Sequence, residues 1–169
     1  MTSFTMRALE RANLAELVSQ RAAGTPLTSE HYATFAGADL LLLGTAADEV
    51  RRQDCGDDVI IHPPCPSLAS AHFMVVGTEE TRRGTHLFRA LALARLQLPS
   101  GSRLSLDFDV FGLAIAQASL AFGVSDLTGT LRSRKGLALL GDSLSLDAKK
   151  RELAGCIARA GRRAVFEAG

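Results

Sequence analysis

The chain has 169 residues, which is enough for one domain with a hydrophobic core. Hydrophobic residues make up 47% of the sequence and aromatic residues only 5%, so we expect a core built mainly from Leu, Ala and Val. The net charge of +1 arises from 19 basic and 18 acidic residues, and this balance excludes the strongly basic surface typical of proteins that bind nucleic acid or an anionic membrane.

The apolar stretches are short and the cysteines are few. Asp, Arg or Gly interrupts each apolar stretch before it reaches the roughly 18 residues that a membrane helix needs. The N-terminal residues lack the apolar run and the small-residue cleavage site of a signal peptide. We therefore expect a cytoplasmic protein without a membrane span, in which the three cysteines are free thiols.

The first part of the chain, residues 1–56, is predicted to be helical. Apolar residues recur at helical spacing over residues 4–23, and a Gly-Thr-Pro turn ends that pattern. A short helix is expected to begin near Glu30, after a cap at Thr28 or its neighbour Ser29. Residues 38–53 carry apolar side chains on one face and charged side chains on the other, which predicts a third helix.

The remainder, residues 57–169, alternates between strand and helix patterns. Leu104, Leu106 and Phe108 alternate with polar residues, as in a half-buried strand. This alternation of strands and helices favours parallel βαβ units. The predicted strands are residues 59–62, 71–76, 104–108 and 124–127, and the predicted helices are residues 85–96, 111–122 and 147–161.

Together these patterns predict an α/β (or α+β) fold in a single domain, residues 1–169, with the N-terminal helices packed on a small, mostly parallel sheet. A complete (β/α)₈ barrel takes about 200–250 residues, so the sheet is expected to resemble an arc of such a barrel. An arc leaves its edge strands and its former interior uncovered, which favours a homodimer.

Three blocks of sequence, taken in order, resemble one enzyme family. The first, residues 41–62, reads LLLGTAADEVRRQDCGDDVIIH. The second, within residues 86–131, contains FRALALARLQLP and FGLAIAQASLAFGVSDLTGT, and the third, residues 153–167, reads LAGCIARAGRRAVFE. They resemble the radical S-adenosylmethionine (radical SAM) enzymes that make aminofutalosine and cyclic futalosine for menaquinone, and the deazaflavin cofactor. The resemblance covers roughly half of the chain and implies descent from a (β/α) barrel.

The sequence departs from this family where the family performs its chemistry. The family holds a [4Fe–4S] cluster in a C-x₃-C-x₂-C loop, whereas Cys55, Cys65 and Cys156 are widely spaced. The Glu-Glu that follows the family's Gly-Thr is replaced by the basic residues 132–135. The resemblance therefore implies a truncated relative without the cluster, without a cofactor and without radical chemistry.

The first candidate ligand site lies just past a predicted strand. Asp126, Thr128, Gly129 and Thr130 combine hydrogen-bonding side chains with a glycine that lets a ligand approach the backbone. In parallel βα folds, ligands bind at the carboxyl ends of the strands. The alternative is a turn in which Asp126 caps the next segment.

A second candidate comes from the loop before the helix at residues 85–96. Its backbone amides, with Arg82 or Arg83, could hold a phosphate or carboxylate. The alternative is a solvated loop.

Asp107 and Asp109 are candidate catalytic acids or bases, because burial of a carboxylate against a cavity raises its pKa. Alternatively, they face solvent or pair with an arginine, for which Arg89, Arg95 and Arg103 are available.

A metal site is a further possibility. His62, Cys65 and His72 are of the types that bind zinc, with Cys55 or Asp58 as a fourth ligand. The prolines between them could instead splay these residues apart, and His72 could be an ordinary strand residue.

Three functions follow from these observations. The first is a non-catalytic remnant of the radical SAM family that binds a small polar or aromatic molecule at the strand ends. The second is an interaction partner or regulator of a full-length radical SAM relative. The third is a cofactor-independent enzyme that uses Asp107, Asp109 or Asp126 as acid or base.

Overall fold

A computed structural model of the chain describes residues 3–63, 72–74, 84–131 and 146–167. The elements in chain order are α1 (Ser3–Arg11), α2 (Ala15–Ala22), α3 (Ser29–Gly37), α4 (Leu40–Cys55), β1 (Asp58–His62), β2 (His72–Met74), α5 (Thr85–Gln97), β3 (Arg103–Asp107), α6 (Phe108–Phe111), α7 (Leu113–Ser119), a 3₁₀ turn (Leu120–Phe122), β4 (Asp126–Thr128), α8 (Leu146–Arg159) and β5 (Arg163–Phe166). Within these residues, every helix is too short or too polar to span a lipid bilayer.

The strands form one sheet in the order β2-β3-β4-β1-β5, and every pairing is parallel. β2 and β5 are the edges of this five-stranded sheet, so the described strands do not close into a barrel. The helices pack around the sheet, with α4 in contact with α1, α2 and α5. The predicted α/β fold, with helices around a small parallel sheet, is therefore confirmed.

The two faces of the sheet differ in polarity, because successive side chains of a strand point to opposite faces. The apolar face belongs to the same core as Leu43 of α4 and Leu91 of α5. Its buried members are Val59, Ile61, Leu104, Leu106 and Leu127. We call the opposite face of the three central strands the polar face, and its polar members are Asp58, His62, Arg103, Ser105, Asp107, Asp126 and Thr128.

The N-terminal helices confirm the predicted cap at Thr28 but not the predicted length of the first helix. The expected helix over residues 4–23 is two helices, because Asn13 adopts a left-handed conformation with φ 57°. Thr28 caps α3 as predicted: its hydroxyl accepts from the backbone N–H of His31, and the His31 ring accepts from the N–H of Thr28. The third predicted helix is α4, capped by Asp39.

The region around residue 110 differs most from expectation. The predicted strand ends one residue early, and the predicted helix over 111–122 is divided into α6, α7 and the 3₁₀ turn. Gly112, at φ 83°, separates α6 from α7. As a result, Asp109 lies on a short helix and not on a strand.

The final strand was not predicted. β5 follows α8 after a turn at Gly161 and pairs with β1 from Asp58↔Arg163 to Ile61↔Phe166. The remaining predictions agree with the structure at β1, α5 and α8. The predicted strand 71–76 is described only at His72–Met74, and the loop 78–83 lies outside the described residues.

Charged residues of a helix usually face solvent, but Arg95 of α5 is fully buried. Its guanidinium donates to the carbonyl oxygens of Gly123 (2.7 Å) and Ser102 (2.6 Å) and to the hydroxyl of Ser125 (3.2 Å). Burial lowers the pKa of Arg95 because the charged form loses its hydration. The side chain therefore ties α5 to the segments that enter β3 and β4.

Candidate functional site

The centre of the polar face is Asp126, a carboxylate with no exposed surface. It is the first residue of β4, and the register places it between Ile60 of β1 and Ser105 of β3. A buried carboxylate is stable only when cations or hydrogen-bond donors compensate its charge. The neighbouring strands must therefore supply those groups.

Arg103, the first residue of β3, supplies one cation. Its Nε lies 2.7 and 2.8 Å from the two carboxylate oxygens of Asp126, and its Nη2 lies 2.6 Å from Oδ1. Burial works to lower the pKa of Arg103, but the hydrogen bonds and the charge of Asp126 raise it above its ordinary value. Arg103 therefore remains charged beside Asp126.

His62, the last residue of β1, supplies the second contact. Its Nε2 lies 2.9 Å from Oδ2 of Asp126, and its Nδ1 lies 2.9 Å from Oε2 of Glu167. Glu167 follows β5, and its backbone N–H donates to the carbonyl oxygen of Ile61. Because an ionised carboxylate only accepts hydrogen bonds, His62 makes both contacts when each ring nitrogen carries a proton.

Two hydroxyl groups of the polar face have no hydrogen-bond partner among the described residues. Ser105 is fully buried and Thr128 is 1% exposed, yet neither Ser105 Oγ nor Thr128 Oγ1 is paired. Nearly all buried polar groups in native proteins are hydrogen-bonded. Ser105 and Thr128 therefore keep hydrogen-bonding capacity that the described residues do not use.

Gly129 and Thr130 belong to the predicted site, but both are in contact with other residues of the protein. Gly129 packs against a side chain, and the backbone N–H of Thr130 is hydrogen-bonded. A Cβ on Gly129 would lie 2.1 Å from Cε2 of Phe108, so this glycine admits the Phe108 ring. The backbone N–H of Thr130 donates to Oδ2 of Asp109 at 2.8 Å. These contacts join the end of β4 to α6.

The two candidate catalytic carboxylates both cap backbone groups. Oδ1 of Asp107 accepts from the N–H groups of Asp109 (2.8 Å) and Val110 (3.4 Å) at the start of α6. The expected arginine partners bind elsewhere. Arg89 donates to the carbonyl oxygens of Ala36 and Ala38, while Arg95 and Arg103 make the contacts described above.

The structure does not bring the proposed metal ligands together. His62 and His72 lie on β1 and β2, which are separated by β3 and β4. At roughly 4.8 Å per strand, the backbones of these two residues are about 14 Å apart across the sheet. Both nitrogens of His62 already contact carboxylates, and Cys65 lies outside the described residues. No group of three metal-binding side chains is found within the described ranges.

The two other ligands considered for a metal lie at the amino end of β1. Asp58 is paired with Arg163 at 2.6 and 2.8 Å, and this hydrogen bonding lowers the pKa of Asp58. The Cys55 thiol donates to the carbonyl oxygen of Ser102. These residues, with Gly56 and Asp57, line a surface pocket of about 460 Å³. This pocket is at the opposite end of the strand from the unpaired hydroxyls.

Sequence reasoning identified Asp126 and Thr128 but not the partners that surround them. Asp126 and His62 are 64 residues apart in the chain, and Asp126 and Arg103 are 23 apart. Ser105 was not singled out, although its place between two buried leucines on a strand could have indicated a side chain on the opposite face. The other predicted ligand-binding residues, Arg82 and Arg83, lie outside the described residues.

No protein-family model, curated protein or solved structure matches this chain. The resemblance to radical SAM enzymes therefore stays a prediction from the sequence. The site is therefore described by its geometry alone. Asp126 is a buried carboxylate paired with Arg103, and the His62 ring lies between two carboxylates. Two hydroxyls on the same sheet face have no partner among the described residues.

Proposed function

We propose that this protein binds a small polar molecule on the polar face, between the middle of β3 and the carboxyl ends of β1 and β4. The observation that carries the proposal is the pair of buried, unpaired hydroxyls of Ser105 and Thr128 beside Asp126. The placement agrees with the general preference of open parallel sheets for ligands at the carboxyl ends of their strands.

Binding is favoured over catalysis because the ionisable side chains of the site are already hydrogen-bonded to one another. Asp126 contacts Arg103 and His62, and both nitrogens of His62 contact carboxylates. Neither hydroxyl is hydrogen-bonded to a base in the described part of the chain, so no described residue activates it as a nucleophile. We infer that the protein is a non-catalytic, cytoplasmic remnant of the radical SAM family that needs no cofactor.

The test is a screen of polar metabolites against the ¹⁵N-labelled full chain, read as amide chemical-shift changes. We expect compounds that bind to shift amides near His62, Ser105 and Thr128. The matched control is Asp58→Asn, at the other end of the same face, which should leave these shifts unchanged. Shifts confined to Cys55–Asp58 and Arg163, or no shifts with any compound, would contradict the proposal.

The homodimer and the radical SAM partner stay predictions from the sequence. Sedimentation of the purified chain, alone and mixed with a full-length radical SAM relative from the same cell, tests both. A monomer that never co-sediments with the relative would contradict them without affecting the proposed binding site.

A further inference from the structure

The two unpaired hydroxyls are close enough for one small molecule to contact both. Ser105 is level with Asp126, and Thr128 is level with Asp107, so the hydroxyls lie on neighbouring strands one side-chain repeat apart. Strand spacing and rise put their Cβ atoms roughly 8 Å apart. A compound with two polar groups could bridge them, since each hydroxyl can both donate and accept.

The charges around these hydroxyls disfavour an anion. Among the described residues beside them, Arg103 is paired with Asp126, and the two ring nitrogens of His62 contact the carboxylates of Asp126 and Glu167. Asp107 adds a further carboxylate on the rim, level with Thr128. The described groups therefore comprise more carboxylates than cations, and a phosphate or carboxylate entering here would be repelled.

An uncharged compound with several hydroxyl groups fits these surroundings. Its hydroxyls could donate to and accept from Ser105 and Thr128, and could also donate to the partly exposed carboxylate of Asp107. An ammonium group can only donate, so it would leave the donor protons of both serine and threonine unused. Resting on the proposed function above, we propose that the site selects an uncharged polyhydroxy compound and that Ser105 and Thr128 determine this specificity.

The experiment titrates five named probes into the ¹⁵N-labelled full chain: myo-inositol, D-ribose, inorganic phosphate, citrate and putrescine. We expect inositol or ribose to shift amides of residues 105–107 and 126–129. Ser105→Ala and Thr128→Val should each weaken this binding about tenfold, the value of one hydrogen bond. Both substitutions remove a group that has no partner, so the variants are expected to fold.

The control is Ser119→Ala. The Ser119 hydroxyl is also fully buried, but it donates to the carbonyl oxygen of Ala116 within its own helix. Its removal should leave the affinity for inositol or ribose unchanged. Equal losses in Ser119→Ala and the two site variants would overturn the specific role of Ser105 and Thr128.

The remaining outcomes separate the two proposals. If phosphate, citrate or putrescine shifts these amides and the uncharged probes do not, the ligand class is overturned while the proposed binding site stands. If every probe leaves residues 105–107 and 126–129 unchanged, the ligand class is overturned. The metabolite screen then decides whether the site binds anything.

Discussion

Asp126 and its partners form a charge network that requires all of its members. The carboxylate is fully buried and is contacted by Arg103 and His62 from the two neighbouring strands. Removing one partner of a buried ion pair leaves a charge that water cannot reach, which costs more than the intact pair contributes. The stability of the sheet is therefore sensitive to each of these side chains.

Arg103→Met tests this dependence. We expect the free energy of unfolding in urea to fall by about 3 kcal/mol, because Asp126 loses its bidentate partner. The matched control is Arg163→Met. Arg163 lies on the exposed edge strand β5 and pairs with Asp58 of β1. The loss of this exposed pair should leave the urea midpoint nearly unchanged. Equal losses in both variants would contradict the special role of the buried pair.

Two serines allow the unpaired hydroxyl to be tested by the same chemical change. Ser105 and Ser125 are both fully buried, but only the Ser125 hydroxyl is paired, with Leu104 N–H at 2.9 Å and Arg95. Ser125→Ala should lower the free energy of unfolding by about 1–3 kcal/mol. Ser105→Ala should leave it unchanged or raise it by up to about 1 kcal/mol, because an unpaired buried hydroxyl is a cost. A loss in Ser105→Ala as large as in Ser125→Ala would show that Ser105 has a partner within the protein.

At the level of elements, α6 links the end of β3 to the end of β4. Asp107 caps α6, Asp109 accepts from the Thr130 N–H, and the Phe108 ring lies against Gly129. Phe108 is 2% exposed, so the ring is part of the core. Helix α6 therefore supports the ends of β3 and β4, next to the candidate site.

Gly129→Ala tests this support. The new Cβ would be 2.1 Å from Cε2 of Phe108, closer than van der Waals contact allows. We expect a loss of about 2 kcal/mol in the free energy of unfolding, typical of overpacking. The loss should shrink in a Phe108→Ala background, because the two residues are in contact. Gly37→Ala is the control: a Cβ there meets nothing within 4 Å, and this variant should not lose stability.

The elements that could be predicted from the sequence are those whose signals are local. β1, α5 and α8 follow from apolar periodicity, and Thr28 is recognisable as a cap from the residues beside it. The break at Asn13 could not be predicted in this way, because an asparagine at φ 57° is one option among several for that residue.

Features that depend on distant residues were missed for a different reason. β5 is short, and its partner β1 lies about a hundred residues earlier in the chain. Arg95 has the pattern of a solvated residue, and its burial follows from carbonyl groups that only the fold brings near it. In the site, Thr128 could be predicted as a strand-end residue. Asp126 is instead the first residue of β4, and its pairing with His62 depends on β4 lying beside β1.

On the scale of the whole molecule, the two faces of the sheet differ in what they contact. Its apolar face joins the helices in one core, and its polar face carries the charged network and the unpaired hydroxyls. The sheet is open, as an arc of a (β/α) barrel would be, but β1 lies between β4 and β5, whereas consecutive strands are neighbours in such a barrel. The cysteines provide a test of whether the chain retains the chemistry of the family it resembles.

We expect no iron–sulfur cluster to form. In the chain, Cys55 precedes β1 and Cys65 follows it, so the whole of β1, which is roughly 13 Å long, lies between them. Cys156 is buried in α8, with Arg159 donating to its sulfur at 2.9 Å. A cluster needs thiolates gathered around one site.

Anaerobic reconstitution with iron and sulfide should therefore leave the visible absorbance and bound iron at the level of a variant in which all three cysteines are replaced by serine. Iron and sulfide bound in equal amounts by the natural chain but not by this variant would contradict the expectation and restore the radical enzyme as a candidate. With no such difference, an iron–sulfur cluster has no part in the binding that we propose for Ser105 and Thr128 on the polar face.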